Sequence, residues 1–301
     1  MKSRQHILPG WLAGLTSLVI LLAGGCDRDL PHPVYLRLRQ PRIALDSTGT
    51  RTTTLGIKDL WIDHNGTQLG VFRVPSVIPL LPSEVNRMTF SGGVFETGLS
   101  SFRARYPFWQ PVSFNVSAEA LDTVDVDLTY FYYPDSVLHF PFNETFEEAS
   151  IAFESVRTGA TVTELEPTAD DWFEGRYCGR AVFSQDRYEF EVIGRRFLDL
   201  PQRGNNDIYL EITYKSNIPF TAGLYYRATA GSDVGELPAN IYFESADSWN
   251  TVYVHVNDAV RGLNDALFKP YLRANAKDPD TGTIKNGFLQ VDNVRIVHFA
   301  E

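Results

Sequence analysis

Cysteine and methionine are nearly missing from this 301-residue chain, with two of each. With only Cys26 and Cys178, a disulfide-stapled scaffold is excluded, and an exported fold has to rest on its core. Cations are also in deficit, 27 Lys+Arg against 37 Asp+Glu, a net charge of −10. That excludes a nucleic-acid backbone as the main partner, because such affinity is built on clustered positive charge. Helical periodicity is absent too, since no long segment repeats its apolar residues every 3.6 positions. Catalytic signatures are missing as well: GxSxG, a P-loop, GxGxxG, HExxH and any cysteine pair with zinc spacing. The chain is therefore read as no enzyme. The competing class is a glycan hydrolase with an unrecognised acid pair. Neighbouring acids such as Asp170-Asp171 and Glu147-Glu148 do not supply one, since a glycosidase sets two carboxyls across a cleft.

What is present is a globular composition, 44% apolar and 21% charged, with aromatics at 13%. Apolar residues alternate with polar ones in Thr123–Tyr133, Asp207–Tyr214, Thr251–Val256 and Phe288–Phe299, which predicts strands with one buried face. In the second of these, Ile208, Leu210, Ile212 and Tyr214 share a face. Turn signals separate such runs, among them Asn65-Gly66 and Asp278-Pro279-Asp280-Thr281-Gly282. One short helix is expected near Asp258–Asn264. The fold class is all-β, two β-sandwiches in tandem, with the division near Tyr133–Phe142.

The N-terminus carries Lys2 and Arg4, then the apolar stretch Trp11–Leu22, then Ala23-Gly24-Gly25 before Cys26. That stretch has 12 residues, short of the ~20 that cross a bilayer as helix, and it reads as a signal peptide. The segment resembles the lipobox of bacterial lipoproteins. The resemblance implies cleavage after residue 25, lipid on Cys26, and an address at the cell outer membrane. It departs from the usual pattern in placing Ala23, not a large aliphatic residue, three positions before the cysteine. With Cys26 acylated, Cys178 is left without a partner and reads as a small buried residue.

The series IKDLWIDHNGTQLGVFRVPSVIPLL, followed by GGVFETGLSSFRARYPFWQPV, reads as Greek-key wiring. It resembles the N-terminal sandwich, Ig-like or transthyretin-like, of envelope lipoproteins of the Bacteroidota. The segments Phe142–Glu147, Tyr209–Ile212, Trp249–Val256 and Val291–Ile296 resemble strands of the galactose-binding-like jelly roll of carbohydrate-binding modules. The organisation expected is a signal peptide over 1–25, lipidated Cys26 and a tether to residue 42, a first sandwich over 43–138, and a jelly roll over 139–301. In that jelly roll an acid of the first strand and one of the closing strand hold a structural calcium. The resemblance assigns those places to Glu147 and Asp292; no other cofactor is implied.

Aromatics are the functional lead. Trp172, Tyr225, Tyr226 and Trp249 sit in or beside turns and strand ends, where exposed rings match the apolar faces of sugars. The competing reading places them in the sandwich core. The leading expectation is a non-catalytic outer-membrane lipoprotein that binds or scaffolds within an envelope protein complex. The alternative is a surface lipoprotein that binds carbohydrate.

Overall fold

A computed structural model describes residues 32–300, apart from 46–48, 50, 54, 205, 229–234, 238–240 and 264. The leader and Cys26 lie outside the described residues. Among the described residues of the first half there are eleven strands: β1 (Val34–Leu38), β2 (Arg42–Ala44), β3 (Thr52–Thr53), β4 (Asp59–His64), β5 (Thr67–Arg73), β6 (Ser76–Leu80), β7 (Arg87–Phe95), β8 (Arg103–Arg105), β9 (Val112–Asn115), β10 (Thr123–Val126) and β11 (Thr129–Tyr130). The second half contributes β12 (Leu138–Glu144), β13 (Phe153–Ser155), β14 (Glu166–Thr168), β15 (Cys178–Phe183), β16 (Glu189–Gly194), β17 (Ile208–Ser216), β18 (Phe220–Arg227), β19 (Gly235–Glu236), β20 (Ile241–Phe243), β21 (Ala246–His255), helix α1 (Asn257–Arg261), β22 (Leu267–Asn275) and β23 (Gly287–Phe299). The fold is all-β, two sandwiches in tandem.

In the first sandwich the sheets β10-β1-β6 and β11-β2-β3 face the sheet β5-β4-β7-β8, where β9 also pairs with β7. Leu36, Leu60, Ile62, Phe90 and Phe108 fill the space between them. The Asn65-Gly66 turn joins β4 to β5 with both residues left-handed, φ 52° and 80°. A tight hairpin needs that pair of conformations, and asparagine followed by glycine adopts it at little cost. The alternating run 123–133 is not one strand. It divides into β10 and β11, in different sheets, each pairing in parallel with β1 or β2. Its partner divides too, because Pro41 lies between β1 and β2 and has no N–H with which to extend a ladder.

The second sandwich has a back sheet, β14-β15-β23-β17-β21, with β12 also on β23, and a front sheet, β13-β16-β22-β18-β19, with β20 also on β18. The 13-residue β23 organises the back sheet. Along one edge it takes β15 at residues 287–291 and β12 at 294–299, and along the other it takes β17. Ile208, Leu210, Ile212 and Tyr214 point together into the core between the sheets, as their spacing predicts. The other face of β17 is buried as well, which alternation alone does not predict. The first sandwich lies against it: Tyr209, Tyr253 and Val297 belong to the first sandwich's core cluster.

Candidate functional site

The outward face of the back sheet is closed in two places. At one end Tyr106 meets Tyr209 and Tyr253, with ring centroids 5.1 and 4.7 Å apart. Glu211, buried there, accepts hydrogen bonds from the hydroxyls of Tyr106 and Tyr132, the latter at 3.1 Å to each oxygen. Burial raises its pKa, opposed by Arg295 on the adjacent strand and by the two hydroxyls. Beside it Tyr209 donates to Glu96 at 2.6 Å. His255 lies 3.3 Å from Asp207 and 3.7 Å from Glu96, and the Asp207 hydrogen bond raises its pKa against the effect of burial.

At the other end the loop 169–177 covers the sheet. Asp292 Oδ2 accepts from the backbone N–H groups of Phe173 (3.3 Å) and Glu174 (3.0 Å), and Oδ1 from Asn293 (2.8 Å). Glu147 Oε1 accepts from Arg176 N (2.6 Å) and Tyr177 N (2.9 Å). The two acids assigned to calcium thus meet the same loop, but backbone donors occupy both oxygens of Asp292 and Oε1 of Glu147, whose Oε2 faces the Arg176 guanidinium at 3.9 Å. A cation shell needs acceptors turned inward, and N–H groups present the opposite polarity. Among the described residues no three His, Cys, Asp or Glu side chains converge as a metal site. The residues present do not fit a calcium ion as they are folded; they fasten the loop. Cys178 lies beneath it, fully buried, its thiol pushed up to about 12 mainly by desolvation.

Burial lifts Asp292 from 3.8 to about 7, despite its backbone donors. The folded state binds this proton more tightly than the unfolded chain does. Its contribution to stability is therefore complete below pH 3.8 and is lost as pH rises through about 7, a loss on the order of 4 kcal/mol. His255 and Glu211 have raised pKa values and act with the same sign. Thermal melts are expected to show a midpoint that falls from pH 5 to pH 8, with a shallower fall in Asp292→Asn. A midpoint that climbs over that interval would contradict the assignment.

The four aromatic candidates do not form one site. Trp172 is 44% exposed on the 169–177 loop. Trp249 donates its indole N–H to the Asp171 carbonyl at 3.2 Å and packs on Phe173. Tyr226 packs against the core of the second sandwich. Tyr225 stands alone of the four on the outward face of the front sheet.

That face is built by register. Phe190, Val192, Ala222, Leu224, Phe268 and Leu272 point inward, so their neighbours along each strand point out. One row across the sheet is Tyr242, Thr221, Arg273, Glu191. Another is Glu236, Tyr225, Lys269. Between them lies Tyr271, opposite Gly223, which has no side chain. Tyr225 lies over Tyr271 with centroids 4.6 Å apart, so Tyr225 is the ring that meets solvent. Glu191 is the hub. Its Oε1 accepts from Tyr225 (2.6 Å) and Arg273 (2.9 Å), and its Oε2 from Arg157 (2.8 Å). Burial works against this carboxylate, but those three hydrogen bonds outweigh it and hold its pKa below the ordinary value. Burial and Glu191 push the Tyr225 hydroxyl up to about 12. Arg273 also reaches Glu236 at 3.1 Å, and Tyr271 donates to the same carboxylate. Toward the Tyr242 end, 60% exposed, the face runs into a groove of about 950 Å³.

The sequence reading missed Glu191, Tyr242, Tyr271 and Arg273. The alternation in YEFEVI carries the signal for Glu191, but it does not say which face stays open. The arrangement is a flat ring bordered by fixed donors and acceptors.

No protein-family profile matches the chain, and no curated protein matches its sequence. Solved structures do match. The CBM22-1 xylan-binding domain of Paenibacillus barcinonensis Xyn10C is 14% identical over 54% of this chain and 96% of that one, with a TM-score of 0.35. A family 11 carbohydrate-binding module from Clostridium thermocellum, in complex with a β-1,3-1,4-mixed-linked tetrasaccharide, is 12% identical over 54% and 95%, TM-score 0.37. The enzymatically active domain of bacteriophage CBA120 tailspike protein 4 is 9% identical over 59% and 26%, TM-score 0.41. No residue and no ligand is carried over to this chain from such likenesses.

Proposed function

We propose that this chain is a carbohydrate-binding protein whose binding surface is the outward face of the front sheet. One observation carries the reading. Of the second sandwich's two outward faces, the back one is closed by the first sandwich and the 169–177 loop. The front one presents Tyr225, held by Glu191 and Arg273, and continues past Arg273 to the groove that Arg273 and Tyr242 line. A sugar ring offers an apolar C–H face and a rim of hydroxyls. The outer face of half-buried Tyr225 supplies the matching plane, and charged side chains fixed by one another supply both donors and acceptors. A protein docked on a scaffold instead needs a contiguous apolar core, and the rows of this face alternate ring and charge.

Polysaccharide affinity electrophoresis tests this. The chain is expected to be retarded by at least one neutral or acidic plant or bacterial polysaccharide, and Tyr225→Ala is expected to run as if no polymer were present. Equal retardation of both forms would remove the front face from consideration.

The reading includes a lipid on Cys26 holding the protein at a bacterial envelope, where a glycan binder meets surface polymers. Several acyl chains, each buried CH₂ contributing ~0.8 kcal/mol, make a firm anchor. Labelled palmitate is expected in the wild-type protein and not in Cys26→Ala, which should leave the membrane pellet. An unlabelled wild type would refute the anchor and leave the glycan face untouched.

A further inference from the structure

The groove beside Tyr242 differs in charge from the molecule that contains it. The whole chain carries −10, yet Arg157, Arg273, Lys277 and Lys285 all line this groove, against Glu189 and Asp278. The arginines are committed inside the face, to Glu189, Glu191 and Glu236. The lysines are not. Among the described residues, the lysine ion pairs are Lys215–Asp171 and Lys269–Glu154. Lys285 Nζ donates to the Asn217 backbone carbonyl at 2.6 Å, and Lys277 Nζ lies 5.6 Å from the centre of the Tyr188 ring. Asp278, the nearest acid in sequence, spends its Oδ1 on the backbone N–H groups of Asp280 (2.9 Å) and Thr281 (2.7 Å) within its own turn. Two exposed lysines without a carboxylate partner thus line a groove shared with Tyr242 and Arg273 of the front face.

We propose that the polysaccharide bound by this protein is acidic, and that Lys277 and Lys285 receive its carboxylate or sulfate groups while the sugar rings follow Tyr242 and Tyr225. The inference rests on the reading of the front face as a glycan-binding surface. Lysine suits the task as a compact, mobile charge that meets an anionic group without a fixed fork. A protein of net negative charge repels a polyanion at long range. Attachment then depends on this local cation pair, and it weakens as salt screens the pair.

The test compares polymers that differ in charge alone. Affinity gels would contain glucuronoxylan or its carboxyl-reduced form, polygalacturonate or its methyl ester, and carrageenan or its desulfated form. Binding is measured for the wild type, for the double variant Lys277→Ala/Lys285→Ala, and for Tyr225→Ala. In at least one pair the charged member is expected to bind about tenfold more tightly, the scale of two exposed ionic contacts. A carboxylate pair and the sulfate pair report which anion is read. The double variant should bind both members alike and melt at the wild-type temperature, whereas Tyr225→Ala should lose both. Equal binding of both members by the wild type, or a charge preference that survives in the double variant, overturns the lysine assignment while leaving the face reading in place. No retardation of the wild type by any polymer overturns both.

Discussion

Replacing Glu211 by alanine is expected to destabilise the protein by about 3–5 kcal/mol, the cost of removing one partner from a buried polar cluster. The carboxylate is 3% exposed and joins the two sandwiches, because its donors Tyr106 and Tyr132 come from the first and Glu211 from β17 of the second. Its removal leaves two buried hydroxyls without their acceptor. It also leaves the Arg295 guanidinium, its neighbour across the ladder, without the facing charge. Glu211→Gln keeps an acceptor oxygen for the hydroxyls and is expected to cost about 1 kcal/mol. Urea denaturation of the three proteins checks this. A further sign is expected in the alanine variant, a transition that splits in two as the sandwiches unfold separately. An alanine variant within 1 kcal/mol of the wild type would show that the junction does not depend on this group.

Tyr225→Ala is expected to weaken glycan binding by about 30-fold or more, which is the ~2 kcal/mol of a hot-spot aromatic. The loss should come with a stability cost of only about 1 kcal/mol, since Tyr225 is partly buried and Glu191 keeps Arg273 and Arg157 when this hydroxyl is removed. Arg273→Ala is expected to weaken binding and stability together. It strips Glu191 and Glu236 of a shared partner, and the cluster that fixes Tyr225 loosens with it. Calorimetric titration separates the two outcomes, provided that melting curves are recorded on the same samples. A tenfold loss in Arg273→Ala beside no loss in Tyr225→Ala would mean that charge alone, and not ring stacking, holds the ligand.

Much of the fold was legible because it depends on local pattern. The period-two run of Ile208, Leu210, Ile212 and Tyr214 faces the core it predicts, and the Asn65-Gly66 pair makes the hairpin. Two readings failed for lack of a partner in view. The run 123–133 alternates without a break, and it is Pro41, over 80 positions away, that ends the pairing of its parallel neighbour. The polar face of β17 reads as solvated, yet Glu211 is buried because Tyr106, 105 positions distant, covers it. The site shows the same division. Tyr225 could be named from composition and turns, but its hub Glu191 is 34 positions away on another strand. Trp172 and Trp249 look equivalent to Tyr225 in sequence. Only the packing of the first sandwich and of the 169–177 loop decides which sheet face is left open.

Comparing the two faces with one ligand decides which of them binds glycan. A retarding polysaccharide would be titrated calorimetrically, as an oligosaccharide, into the wild type, Tyr225→Ala, Trp172→Ala and Trp249→Ala. Binding is expected to be lost in Tyr225→Ala and unchanged in both tryptophan variants. Loss of binding in Trp172→Ala or Trp249→Ala, with Tyr225→Ala unaffected, would place the ligand on the back of the second sandwich and contradict that expectation.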